Sequence, residues 1–129
     1  MKIPTKVIHA DISLSVCGYS KVLEIISNKW TALVIYALED GSMRYGEIGR
    51  RIDGISKKML TQTLRQLERD GLVKRDITAS VPPIVDYSLT ALGETLTVPL
   101  KHLKQWTSAY YSEVEKAREA YDEIESPSD

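Results

Sequence analysis

A change of hydrophobic period at residue 71 constrains the fold of this chain more than any other feature. Upstream of it, Leu60, Leu64 and Leu67 recur at steps of four and three, the spacing of one helix face. Downstream, the apolar positions alternate. Val73, Arg75 and Ile77 fall on one side and Lys74, Asp76 and Thr78 on the other, and beyond Ser80-Val81-Pro82-Pro83 the residues Val85, Tyr87 and Leu89 alternate with Asp86 and Ser88. Two alternating runs about a proline-containing link predict a β-hairpin with a long, stiff tip.

The stretch before the switch is punctuated by Asp53-Gly54 and Asp70-Gly71, each the kind of pair that ends a helix. A short helix carrying Tyr45, Ile48 and Ile52 inward is predicted to close at Asp53-Gly54. A second opens after Ser56, its N-cap. Helix, tight turn, helix and hairpin make a winged helix-turn-helix.

Before this unit, Tyr19, Val22, Leu23, Ile26 and Trp30 recur at helical spacing, with a restart at Ser27-Asn28. A further helix is expected to turn Trp30, Leu33, Val34, Ala37 and Leu38 to one face, stopping at Asp40-Gly41. After the hairpin, Thr90 is placed to cap a last helix. Its apolar positions are Leu96, Leu100, Leu103, Trp106, Tyr110, Val114, Ala117, Tyr121 and Ile124. Such a stripe is longer than one small domain needs for its own core, so it is assigned to a homodimer interface, chiefly through Leu96, Leu100, Leu103, Trp106, Tyr110 and Val114. Pro99 is expected to kink or divide this helix. The fold class is therefore mainly α with a small β-hairpin: an N-terminal arm over 1–18, a winged helix-turn-helix domain over 19–90, a dimerisation helix over 91–125 belonging to the same domain, and a frayed tail over 126–129.

Charge is graded along the chain although the net is only −1. From Met43 to Asp76 nine Lys and Arg face five Asp and Glu, a net of +4, whereas from Ile77 to Asp129 four face nine, a net of −5. A basic patch beside an acidic tail is what a protein meeting a polyanion at one end would carry. No apolar run approaches the roughly 18 residues of a membrane span, and no secretory signal is read at the N-terminus, so a cytoplasmic protein is expected. One Cys and two His cannot readily build a four-ligand zinc site, and no phosphate-binding glycine loop is present. Neither metal nor cofactor nor enzyme activity is expected.

With Leu60, Leu64 and Leu67 inward, Lys57, Lys58, Thr61, Gln62 and Arg65 take the outer face of their helix. Arg and Gln can bond base edges, Thr can bond a base or touch a thymine methyl, and Lys neutralises phosphate. Double-stranded DNA is the partner this face predicts; the plain alternative is a solvated polar surface. Lys74 and Arg75 on the hairpin and Arg44 are assigned to the DNA backbone, and the hairpin tip at 79–83 to the minor groove; a hairpin that only completes the core is the alternative. Arg50 and Arg51 cannot face the same way, so at most one of them joins in. Trp30, Trp106, Tyr110, Tyr111 and Tyr121 either line a pocket for a small aromatic effector or serve core and interface.

Taken in order, several stretches resemble the HxlR-type regulators, relatives of the MarR group. They are Asn28-Lys29-Trp30-Thr31, Arg44-Tyr45-Gly46-Glu47-Ile48, the run from Gly54 to Thr61, the run from Leu64 to Val73, and the run from Val81 to Gly93. They span about Cys17 to Trp106. Two positions depart: Cys17-Gly18 stands where the family often has Cys-Pro, and Ile84 where a basic residue often follows the prolines. The second leaves one cation fewer on the wing.

The resemblance implies a homodimeric transcription regulator on a pseudo-palindromic operator. It also draws attention to Cys17, because some HxlR-type proteins sense electrophiles or oxidants through a cysteine at this place. A nearby helix start and Lys21 one turn on both favour a reactive thiolate. An inert, half-buried thiol is the equal alternative. The rival functions are a winged-helix adaptor that binds protein, and a small-molecule-responsive regulator using the aromatic pocket.

Overall fold

The computed structural model describes residues 18–126. Nearly all of the expected N-terminal arm, including Cys17, lies outside the described residues, as do the last three residues of the tail. Five helices and three short strands follow in the order α1 (Gly18–Ser27), α2 (Lys29–Leu38), β1 (Met43–Arg44), α3 (Tyr45–Arg51), α4 (Lys57–Arg69), β2 (Val73–Thr78), β3 (Ile84–Leu89) and α5 (Ala91–Glu125).

The helix starts are set by side-chain caps. Asn28 Oδ1 accepts from Trp30 N at 3.0 Å, and Ser56 Oγ accepts from Met59 N at 3.0 Å. Thr90 Oγ1 accepts from Gly93 N at 3.0 Å. Each satisfies an amide that a helix N-terminus leaves unpaired. At the other end of α4, Gly71 takes φ +75°, a left-handed conformation, and Leu72 N bonds back to Leu67 O at 2.9 Å. That turn drops the chain straight into β2.

The core is built around α2 and α4. Val34, Ile35, Ala37 and Leu38 of α2 meet Ile48 and Ile52 of the α3 segment, and Leu60, Leu64 and Leu67 of α4, with Leu72 and Val73 closing one end. One expectation about α2 needs correction, and one core residue was not among those expected. Leu33, placed inward by a one-face reading, is 44% exposed, while Ile35 is fully buried. The reason is that α2 packs against α1, α3, α4, β3 and α5, so more than one of its faces is covered. On α1, Ile25 packs on the core, whereas Tyr19, Val22 and Leu23 are exposed.

The hairpin forms as expected, with Val73 opposite Leu89 and Thr78 opposite Ile84. A third strand was not foreseen: β1 pairs antiparallel with β3, Met43 opposite Tyr87, giving the order β1-β3-β2. Only Val73 of β2 is buried, and Ile77 is 61% exposed, so the outer half of the wing stands clear of the core.

The last helix is not divided. α5 runs as one 35-residue helix through Pro99, a length of about 52 Å at 1.5 Å per residue. Its start is pinned to the α4–β2 turn, where Thr90 N bonds Leu72 O at 3.0 Å and Thr90 Oγ1 donates to Gly71 O at 2.6 Å. Gly93 is buried there, and only glycine fits because any Cβ would collide with the Leu72 carbonyl. No described helix is both long and apolar enough to cross a membrane.

Candidate nucleic-acid interface

α3 and α4 form the helix-turn-helix, and α4 owes its orientation to the buried row Leu60, Thr63, Leu64 and Leu67. Opposite that row, at helical steps of four, three and four, stand Lys58, Gln62, Arg65 and Arg69, all exposed. None of the four has a side-chain hydrogen bond or ion pair with another described residue. Lys57 is likewise exposed and unpaired. The sequence reading named Lys57, Lys58, Gln62 and Arg65 but missed Arg69, which lies four residues past Arg65 on the same stripe. Stepping the helical period one turn further would have found it.

Thr61 sits at the edge of this face, half-buried rather than free. Its Oγ1 lies 2.9 Å from the Tyr45 hydroxyl, which also bonds Lys57 O at 2.9 Å. Tyr45 thereby ties the first helix of the pair to the first turn of the second.

Arg44, Lys74 and Arg75 differ in kind from the cations of α4, because acidic neighbours already face them. Arg44 Nε lies 4.0 Å from Asp86, Lys74 Nζ 3.8 Å from Asp76, and Arg75 Nε 3.6 Å from Glu68. All three pairs are solvent-accessible, so each contributes little to stability and can be exchanged for a phosphate at small cost. Arg75 points back to α4 instead of out along the wing. The adjacent arginines at 50 and 51 divide as expected: Arg51 donates to Ala37 O at 2.9 Å and approaches Asp40, while Arg50 is exposed and has no side-chain partner among the described residues. The wing tip over 79–83 is fully exposed.

An open cleft of about 1070 Å³ separates α1 from α4, and Lys21, Gln62, Arg65 and Arg69 stand on its walls. A second groove, between α2 and α5, contains Leu33, Tyr36, Leu100, Leu103 and Lys104. The Lys104 ammonium lies 3.8 Å from the centre of the Tyr36 ring and 2.6 Å from its hydroxyl. Within one chain the five aromatics singled out from sequence are not gathered around either space. Trp30 packs on the core, while Trp106 and Tyr110 pair with each other at 5.9 Å between ring centres.

The residues assigned to a dimer interface divide in two. Leu96 and Leu100 pack against the chain's own core. Leu103, Trp106 and Tyr110 are each about half exposed, at 57%, 49% and 51%, and Val114 is half-buried. Together they make an apolar flank on α5 that the chain does not cover itself.

Against known proteins, the pattern of the HxlR-like helix-turn-helix family matches residues 25–115. The HTH-type transcriptional regulator YkvN of Bacillus subtilis is 46% identical over 109 residues, covering 84% of this chain and 92% of the relative. Among solved structures, the redox regulator HypR in its reduced form superposes with a TM-score of 0.74 at 36% identity, over 78% of this chain and 99% of that one. The reduced transcriptional regulator YodB of B. subtilis gives 0.65 at 30% identity, over 74% of this chain and 94% of that one.

Proposed function

The chain belongs to the HxlR-like helix-turn-helix family of transcriptional regulators, and from that premise we propose that it binds duplex DNA sequence-specifically as a homodimer, with α4 in the major groove. One observation carries the reading. The exposed stripe Lys58, Gln62, Arg65 and Arg69 faces solvent with no side-chain partner among the described residues, opposite the buried row of Leu60, Leu64 and Leu67. Arg and Gln match the acceptor and donor pattern of base edges, and the flanking lysines match phosphate. Arg44, Lys74 and Arg75 exchange their carboxylate neighbours for the DNA backbone, and the 79–83 tip reaches the neighbouring groove.

Dimerisation buries the flank from Leu103 to Val114, which the chain leaves uncovered. Two-fold symmetry then sets the two α4 helices about one helical turn of DNA apart, ~34 Å. Similarity to the redox regulator HypR supports a second element of this reading: Cys17 switches DNA binding by reacting with an oxidant or electrophile.

Selection from a random duplex pool tests the proposal. The expected product is an inverted repeat whose affinity falls with salt, log K changing by about −0.9 per phosphate neutralised for each unit of log salt. A pool that never enriches, with no complex even at low salt, refutes DNA binding and leaves a protein-binding adaptor as the surviving reading.

A further inference from the structure

A count of hydrogens at the Tyr45–Thr61 contact fixes how Thr61 can read a base. The Tyr45 hydroxyl lies 2.9 Å from the Lys57 carbonyl oxygen and 2.9 Å from Thr61 Oγ1. A carbonyl oxygen only accepts, and a phenol has one hydrogen, so that hydrogen goes to Lys57. The bond to Thr61 must then run the other way, with Thr61 donating to Tyr45. A threonine hydroxyl also has one hydrogen, and here it is turned into the protein. What the half-buried Thr61 has left to offer a base is its oxygen lone pairs and its methyl group.

We propose that Thr61 reads DNA as an acceptor and a methyl but never as a donor, and that Tyr45 is the positioning residue that imposes this polarity. The inference rests on α4 being the DNA-reading helix. In the major groove, an acceptor suits the amino groups of adenine and cytosine, and a methyl suits the thymine methyl. Guanine shows only the acceptors O6 and N7 there. A guanine facing Thr61 is therefore left without a partner, and the protein disfavours it. Specificity at that base is set from α3, by a side chain that never touches DNA.

The test uses the full-length protein, a selected operator and every single-base variant of that operator. The position read by Thr61 is the one whose profile changes in Thr61→Ala. At that position, Tyr45→Phe frees the Thr61 hydrogen and is expected to improve guanine relative to the other bases by about three- to tenfold, the worth of one hydrogen bond. Thr61→Val, which keeps the methyl, leaves guanine disfavoured. Tyr45→Phe combined with Thr61→Val also leaves it disfavoured, because no hydroxyl remains to donate. A merely structural role for Tyr45 predicts something different: weaker binding to all sequences alike, with a lower melting temperature and an unchanged base profile. That outcome overturns the inference. So does a guanine gain that persists in the double variant, or a Thr61→Ala protein whose profile matches the parent at every position. Absence of any operator for the parent protein instead refutes the DNA-binding function on which the inference stands.

Discussion

Gly93→Ala is a small substitution with a large expected effect. An ideal Cβ at residue 93 would lie 2.0 Å from the Leu72 carbonyl oxygen and 3.0 Å from its carbon. An unstrained carbon-to-oxygen contact is about 3.3 Å, so α5 and the α4–β2 turn must part by about 1.3 Å. That movement strains the 3.0 Å bond from Thr90 N to Leu72 O and the 2.6 Å bond from Thr90 Oγ1 to Gly71 O. Overpacking of this kind costs about 1–3 kcal/mol, and each weakened hydrogen bond about 0.5–1.5 kcal/mol, against a gain of about 1 kcal/mol from alanine's helix propensity. The net is a destabilisation of about 1–5 kcal/mol. For 129 residues, an unfolding entropy of about 0.27 kcal/mol/K turns this into a Tm lower by about 4–18 °C. Thermal melts followed by circular dichroism read this directly, at one fixed protein concentration because the Tm of any self-associating protein depends on it. Gly49→Ala in α3 is the control: its Cβ would meet only Leu60 Cδ2, at an ordinary 3.5 Å, and its Tm should stay level or rise. If Gly93→Ala melts with the parent, the close approach of α5 to Leu72 is wrong.

Other predictions concern the site and the dimer. Leu103→Asp and Tyr110→Asp place a charge on the exposed flank of α5 and should give monomers by light scattering, with poor DNA affinity; dimers that persist would move the interface elsewhere. Glu68→Gln removes the partner of Arg75. It should shift stability by less than about 0.5 kcal/mol, because the pair is exposed, while strengthening DNA binding at low salt; unchanged binding would remove Arg75 from the backbone contacts. Treatment with diamide should abolish DNA binding in the parent, reversibly with dithiothreitol, and leave Cys17→Ser unaffected. With a single cysteine per chain, diamide takes two electrons and two protons from Cys17 and a second thiol, so the product is a mixed disulfide with an added small thiol or a bridge between subunits, and equal responses in the two proteins would make Cys17 a structural thiol.

Much of the fold was legible because local chemistry decides it. Ser56, Thr90 and the Asn28 restart act as caps through bonds to amides two or three residues on, and Gly71 stops α4 by its own backbone conformation. The wing was legible from the period change. What sequence missed depends on partners distant in the chain. The two-residue strand β1 is too short to carry a period and exists only because β3 lies alongside it. Ile35 is buried because α2 is enclosed on several sides, which a single-face reading cannot express. α5 continues through Pro99, although proline removes one backbone bond there.

The candidate site divides in the same way. The outer face of α4 followed from helical arithmetic alone. The carboxylates beside Arg44 and Arg75 did not, since Asp86 and Glu68 reach them only through the sheet register and the packing of α4 on β2. The engagement of Thr61 by Tyr45 across the helix pair was equally out of reach.

The central claim is that the exposed face of α4 reads DNA, and fluorescence-anisotropy titrations of a selected operator test it most directly. Parent, Gln62→Ala, Arg65→Ala and Lys57→Ala proteins are compared on the operator and on scrambled duplex across a range of salt. Each good base contact is worth about 1–3 kcal/mol of discrimination, so Gln62→Ala and Arg65→Ala should each narrow the gap between operator and scrambled DNA by about 5- to 150-fold. Lys57→Ala should weaken both duplexes alike and make the salt slope shallower by about 0.9 for each phosphate contact removed. If the Gln62 and Arg65 variants discriminate as the parent does, α4 is not the reading helix and the account fails.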